Sequence, residues 1–233
     1  MGLIVCLGVA VALASWASGA SSAASGPGSN ARHCTVGKPT AWKTNRFGSP
    51  GKNPGIKFFS PVLVLACGST GFLHEGALEI VGYDTSEGLC TSAQVARHSL
   101  FGGPCFPAGI RWQDFSSGPV SWTGAGWGGG GPKPSATNLA GYIEPDVASV
   151  EVRFRRDGKI WTKAATVAQV DGELLAKLHQ TEPFGRFAAL LPGCVPPQEI
   201  NVVARGASGV ILGSQRGEKS LVPDFCHPAA AFK

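Results

Sequence analysis

The sequence predicts an all-β protein, with an immunoglobulin-like β-sandwich in the C-terminal half and a smaller disulfide-stabilised β unit in the N-terminal half. Three observations carry that expectation. Apolar residues alternate with polar ones over short runs, which is the period of a strand with one buried face. Turn formers punctuate those runs, with 33 Gly and 17 Pro among 233 residues. Charged residues make up only 15%, so long solvated helices have little to build on. A hydrophobic share of 43% is too high for a disordered chain.

Residues 1–24 read as a secretory signal peptide. An apolar run over residues 3–13 is followed by small residues, with cleavage after Ala20 or Ala24. The positively charged start of such a segment is missing, and a retained N-terminal anchor is the other reading. Residues 25–32 form a flexible lead-in of Ser, Gly and Asn.

Residues 33–123 are expected to form the first β unit. Residues 62–66 are continuously apolar, as in a buried strand. Residues 78–83 and 89–95 flank the polar turn 84–88 and read as a hairpin. Residues 102–109, rich in Gly and Pro, read as a loop held by Cys105. Residues 124–137 combine glycine with Pro132 and Pro134 and read as a linker.

Residues 138–225 form the expected sandwich domain, and residues 226–233 a tail. Val150, Val152 and Phe154 alternate with Glu151, Arg153 and Arg155. Asp157-Gly158 then predicts a hairpin turn, with a return strand over 159–164. Residues 167–170 read as a short strand, Leu174, Leu175 and Leu178 as one helical turn, and 186–191 as a strand stopped by Pro192. Residues 200–205 and 210–213 form a further hairpin around Gly206-Ala207-Ser208-Gly209. A strand–turn–strand pattern shared by 78–90 and 199–212 fits two related modules, or any two hairpins.

The chain has seven cysteines. Loss of the leader with Cys6 leaves Cys34, Cys67, Cys90, Cys105, Cys194 and Cys226, an even set that predicts three disulfides in an exported chain. Chain order favours Cys34–Cys67, Cys90–Cys105 and Cys194–Cys226. Zinc is disfavoured, because no CxxC pair exists and the neighbours His33-Cys34 and Cys226-His227 lie at opposite ends. The expected metal and cofactor content is none.

Catalytic motifs fail on spacing. Neither Gly206-Ala-Ser-Gly209 nor Gly68-Ser-Thr-Gly71 is a nucleophile elbow. His74-Glu75 opens a zinc-protease motif, but Leu78 stands where the second histidine belongs. Residues 124–129 match GxGxxG without the helix that a dinucleotide site needs. Residues 213–220 place glycine wrongly for a phosphate loop. Glu144 and Asp146 flank Pro145 and are the nearest thing to a glycosidase pair, although acidic residues commonly decorate such a turn. No catalytic residue is assigned.

Aromatic residues remain. Trp112, Trp122 and Trp127 fall close together beside Gly and Ser. They are the candidate ligand-binding residues, because flat rings stack on sugars or anchor a protein partner. Packing over disulfides in a small core is the alternative, above all for Trp112 and Trp122. The net charge of +5 is mild. Arg153, Arg155 and Arg156 form the one basic cluster, too sparse for a nucleic-acid surface and consistent with a solvated strand.

Two stretches carry a resemblance. Residues 138–152, with Asp157-Gly158 and 183–192, and the segment 79–105 with its Gly-Leu-Cys and Gly-Gly-Pro-Cys, are similar to patterns in secreted proteins of high-GC actinobacteria with immunoglobulin-like β units. The resemblance implies export and a β fold, and it brings no catalytic residue. Together these readings predict a secreted, non-enzymatic binding or surface-interaction module, extracellular or cell-wall associated. Its expected partner is cell-wall polysaccharide or an extracellular protein, with no nucleic acid and no membrane once the signal is removed. A secreted hydrolase of wall polymers or glycans and a passive envelope protein are the alternatives.

Overall fold

A computed structural model describes residues 34–40, 57–70, 77–95, 98–106, 118–128 and 136–218. The leader, the lead-in, the tail, Trp112 and Cys226 lie outside the described residues. The protein is all-β, and its sheets are antiparallel. Among the described residues no helix is long and apolar enough to cross a membrane.

Twelve strands are described: β1 (Leu63–Ser69), β2 (Ala77–Thr85), β3 (Gly88–Val95), β4 (His98–Phe106), β5 (Val120–Gly128), β6 (Ala136–Ile143), β7 (Ser149–Arg156), β8 (Lys159–Ala164), β9 (Thr166–Val170), β10 (Phe184–Pro192), β11 (Ile200–Arg205) and β12 (Ile211–Arg216). They build three four-stranded sheets in the orders β1-β2-β3-β4, β5-β6-β10-β9 and β12-β11-β7-β8. The short helix α1 (Gly172–Lys177) joins β9 to β10, where the leucine spacing predicts a helical turn.

The second sheet is central because it is apolar on both faces. Along β10, Phe184, Ala188 and Leu190 join a core with Leu65, Leu78, Ile80 and Ala93 of the first sheet. The intervening Phe187, Ala189 and Leu191 join a second core with Val150, Val152, Phe154 and Val202 of the third sheet. β6 divides in the same way, sending Ala136 and Ala140 to one core and Leu139 and Ile143 to the other. Side chains alternate across a strand, so a continuously apolar run such as Phe-Ala-Ala-Leu-Leu is stable only with a layer on each side.

Two expectations about loops are corrected. Residues 98–106 form β4 and pair with β3, although residues 102–109 read as a loop. The glycine-rich stretch 124–137 enters the central sheet at both ends, with Gly124–Gly128 in β5 facing Ala140–Ala136 of β6. Glycine weakens a strand by entropy but does not forbid the ladder, and β6 supplies the partners. The register shifts between Trp122 and Gly124 and at two places in β3–β4 show where these strands bend.

Cys34–Cys67 and Cys90–Cys105 are disulfides, with Cα atoms 6.0 and 4.0 Å apart. Cys90 and Cys105 face each other directly across β3 and β4, which places the bridge inside the ladder. Cys194 is disulfide-bonded as well; its expected partner, Cys226, lies outside the described residues.

Candidate functional site

The β7–β8 hairpin presents two large apolar side chains in succession on an exposed strand. Its turn, Asp157-Gly158, takes positive φ at both residues (52° and 71°), the conformation that joins twisted antiparallel strands most tightly. Across the hairpin, Phe154 pairs with Trp161 and Arg155 with Ile160. Directly opposed residues share a face. Trp161 therefore lies on the side of buried Phe154, and Ile160 on the side of exposed Arg155. Among the described strands β8 is the outermost of its sheet, and both side chains reach the surface: Ile160 is 71% exposed and Trp161 52%.

The basic residues around this edge are ordered by local partners. Arg153 pairs with Glu151, Arg155 with Glu199 at 3.7 Å, and Arg156 with Asp157 at 3.4 Å. Arg156 also donates from Nη1 to the carbonyl of Pro192 at 2.8 Å. These are half-exposed pairs of small energetic weight, about 0–1 kcal/mol each. They keep the arginines on the sheet surface, as expected for a solvated strand. Lys163 donates from Nζ to the carbonyl of Thr70 at 3.1 Å, and burial lowers its pKa. Lys159 stands exposed at the start of β8.

A second unusual group lies between the first and central sheets. Arg186 is 2% exposed and stacks on the Tyr142 ring, with its guanidinium carbon 3.7 Å from the ring centroid. Phe106 meets the same ring edge-on at 4.8 Å. Burial lowers the Arg186 pKa, and Tyr142 partly opposes that shift. Tyr142 is raised by burial, against the pull of Arg186 and of a hydrogen bond with Thr91.

Trp122 is half-buried and packs against the core between the central and third sheets. Its backbone N–H donates to Gln215 Oε1 at 2.8 Å. Trp127 sits in β5 opposite Thr137, and Trp112 lies outside the described residues. Glu144 and Asp146 occupy the turn between β6 and β7, where the Val147 amide donates to the Glu144 carbonyl at 3.1 Å. Of the GxGxxG match, residues 124–128 are strand, so their amides serve a ladder. Residues 206–209 turn a hairpin with Gly209 at φ +82°. No group of three metal-ligating side chains occurs among the described residues.

Ile160 and Trp161 were not singled out by the sequence reading. Their signal is present, however. Two large apolar residues in succession follow the Asp-Gly turn, and a strand with one buried face has room for only one of them. No protein-family model, no curated protein and no solved structure matches the chain.

Proposed function

We propose that this protein is an extracellular binding module, secreted or retained at the cell wall, that performs no catalysis and makes contact through the β8 edge. The carrying observation is the exposure of Ile160 and Trp161 together on an outermost strand. Tryptophan dominates binding hot spots because one ring supplies a large contact area at small entropic cost. Disulfides support an oxidising compartment. We further read the C-terminal half as immunoglobulin-like. The sheet orders β5-β6-β10-β9 and β12-β11-β7-β8 support this, since they follow the A-B-E-D and G-F-C-C′ orders of that fold.

The test is retention of purified protein on isolated cell-wall polymer and on immobilised extracellular proteins. Trp161→Ala and Ile160→Ser are expected to reduce retention by about tenfold or more while leaving circular dichroism unchanged. Equal retention by wild type and both variants removes β8 from the function. Release of soluble sugars or peptides from the polymer by wild type establishes the hydrolase reading in its place.

A further inference from the structure

The buried guanidinium of Arg186 lacks a counter-charge, an observation independent of the β8 edge. Arg186 lies on the face of β10 that carries Phe184 and Ala188 toward the first sheet. Its directly opposed neighbours on that face are Tyr142 of β6 and Ala168 of β9. The Tyr142 ring covers the guanidinium from the β6 side. Toward β9, Ala168 offers only a methyl group. Nε and Nη1 are buried and make no hydrogen bond.

No described group supplies the missing charge. The described strands of the first and central sheets carry two carboxylates, Glu79 and Asp84, both on β2. Glu79 accepts from Gln94 Nε2 at 2.7 Å, and Asp84 Oδ2 pairs with His179 at 3.2 Å. Burial keeps the phenolic proton on Tyr142, so its oxygen is neutral. Arginine does not shed its proton in a protein. A cation left unpaired at this depth favours an anion drawn from solution, because a buried charge is costly unless it is paired and hydrogen-bonded.

Charge and depth also specify that anion. Arg186 is the only Lys or Arg in the described strands of these two sheets. A divalent anion would leave one buried negative charge uncompensated. A monovalent one closes the balance, and only a small one suits a side chain so far from the surface. We propose that Arg186 holds a small monovalent anion, a halide or a simple carboxylate, between the first and central sheets. Nε–H and Nη1–H are the donors available to it.

The test is urea unfolding of the full chain while sodium gluconate is exchanged stepwise for sodium chloride, or for sodium formate, at constant ionic strength. Screening is then equal throughout, and gluconate is too bulky to reach the buried guanidinium. An anion bound by the folded state alone raises the folding constant about tenfold for each tenfold rise in its concentration above the dissociation constant. Wild type is expected to show that rise in chloride or in formate. Arg186→Met and Arg186→Gln are expected to show none. Arg186→Met is further expected to unfold at higher urea than wild type in gluconate, with the gap closing as chloride or formate replaces it. Variants that respond as wild type does would reduce the effect to a general action of salt and overturn the proposal. A wild type indifferent to both anions overturns it as well. Should neither variant fold, crystals of wild type grown in bromide decide the matter. An anomalous peak in contact with Arg186 Nε or Nη1 supports the site, and bromide found only elsewhere refutes it.

Discussion

The guanidinium of Arg186 lies over the ring of Tyr142, 3.7 Å from its centroid, and its Nε and Nη1 are buried without hydrogen-bond partners. The aromatic face is thus the main compensation this cation receives. A desolvated cation–π contact contributes about 2 kcal/mol, less than the several kcal/mol it costs to remove a charge from water. Arg186→Met fills much the same volume without the charge, and is expected to raise folding stability by about 1–2 kcal/mol. Arg186→Ala leaves a cavity and is expected to lower it by about 2 kcal/mol. Tyr142→Leu is expected to cost about 1–2 kcal/mol more in the wild-type background than alongside Arg186→Met. Urea unfolding of wild type, Arg186→Met, Tyr142→Leu and the double variant measures that difference, and additive effects would deny the contact any energetic weight.

The chain's two tyrosines titrate abnormally in the folded state. Tyr83 is pushed up from 10.0 to about 12, by burial first and by Glu87 second. Tyr142 is raised as well, chiefly by burial. The folded protein therefore keeps phenolic protons that the unfolded chain releases near pH 10. The Tyr83 contribution to stability is complete below about pH 10 and is lost as pH rises through about 12. Ultraviolet absorbance should show less tyrosinate in the native protein at pH 10 than in denaturant, where tyrosine is roughly half-ionised. Equal native and denatured titration curves would contradict the burial.

Gly141 tests the close approach of β5 to β6. A Cβ there overlaps the Ser121 carbonyl, the Trp122 Cα and the Phe187 ring. Two of these are backbone atoms of the adjacent strand and cannot turn aside. Gly141→Ala is expected to destabilise by about 2–3 kcal/mol or more. Gly118→Ala meets nothing within 4 Å and is expected to fall within about 0.5 kcal/mol of wild type. Thermal unfolding of both variants separates a steric cause from a general intolerance of alanine.

The two described disulfides should differ in weight by their loops. Cys90–Cys105 spans 15 residues of sequence and Cys34–Cys67 spans 33. The chain-entropy account assigns about 3 kcal/mol to the first and about 0.7 kcal/mol more to the second. Paired Cys→Ala variants, unfolded without reductant, are expected to follow that order. The reverse order would mean that the Cys90–Cys105 bridge acts through the β3–β4 ladder rather than through loop closure.

Local patterns were legible wherever the chain meets its nearest neighbour in sequence. The β7–β8 hairpin follows from Val150, Val152 and Phe154 alternating up to Asp157-Gly158. The β2–β3 hairpin follows from two apolar runs around a polar turn, and α1 from the spacing of three leucines. Chain order favours the Cys34–Cys67 and Cys90–Cys105 pairs, which the structure forms. β4 and the glycine-rich end of β5 were not legible. Their residues have weak strand preference, and they are strands because β3 and β6 lie alongside with backbone groups to satisfy. Trp122, a candidate ligand-binding residue, is half-buried against the core between the central and third sheets.

By itself the sequence determined the class of the fold and its two hairpins of clearest pattern, and its even set of cysteines pointed to disulfides without settling their pairing. The hairpins depend on residues close together in the chain, where side-chain period and turn chemistry act directly. Only the tertiary structure decided that β10 is covered on both faces, that Arg186 is buried on Tyr142, and that β8 ends its sheet with Ile160 and Trp161 exposed. Those outcomes depend on which strand stands beside which. Non-local pairing is chosen by the total apolar area and backbone hydrogen bonding of the whole chain, a sum that no single segment displays.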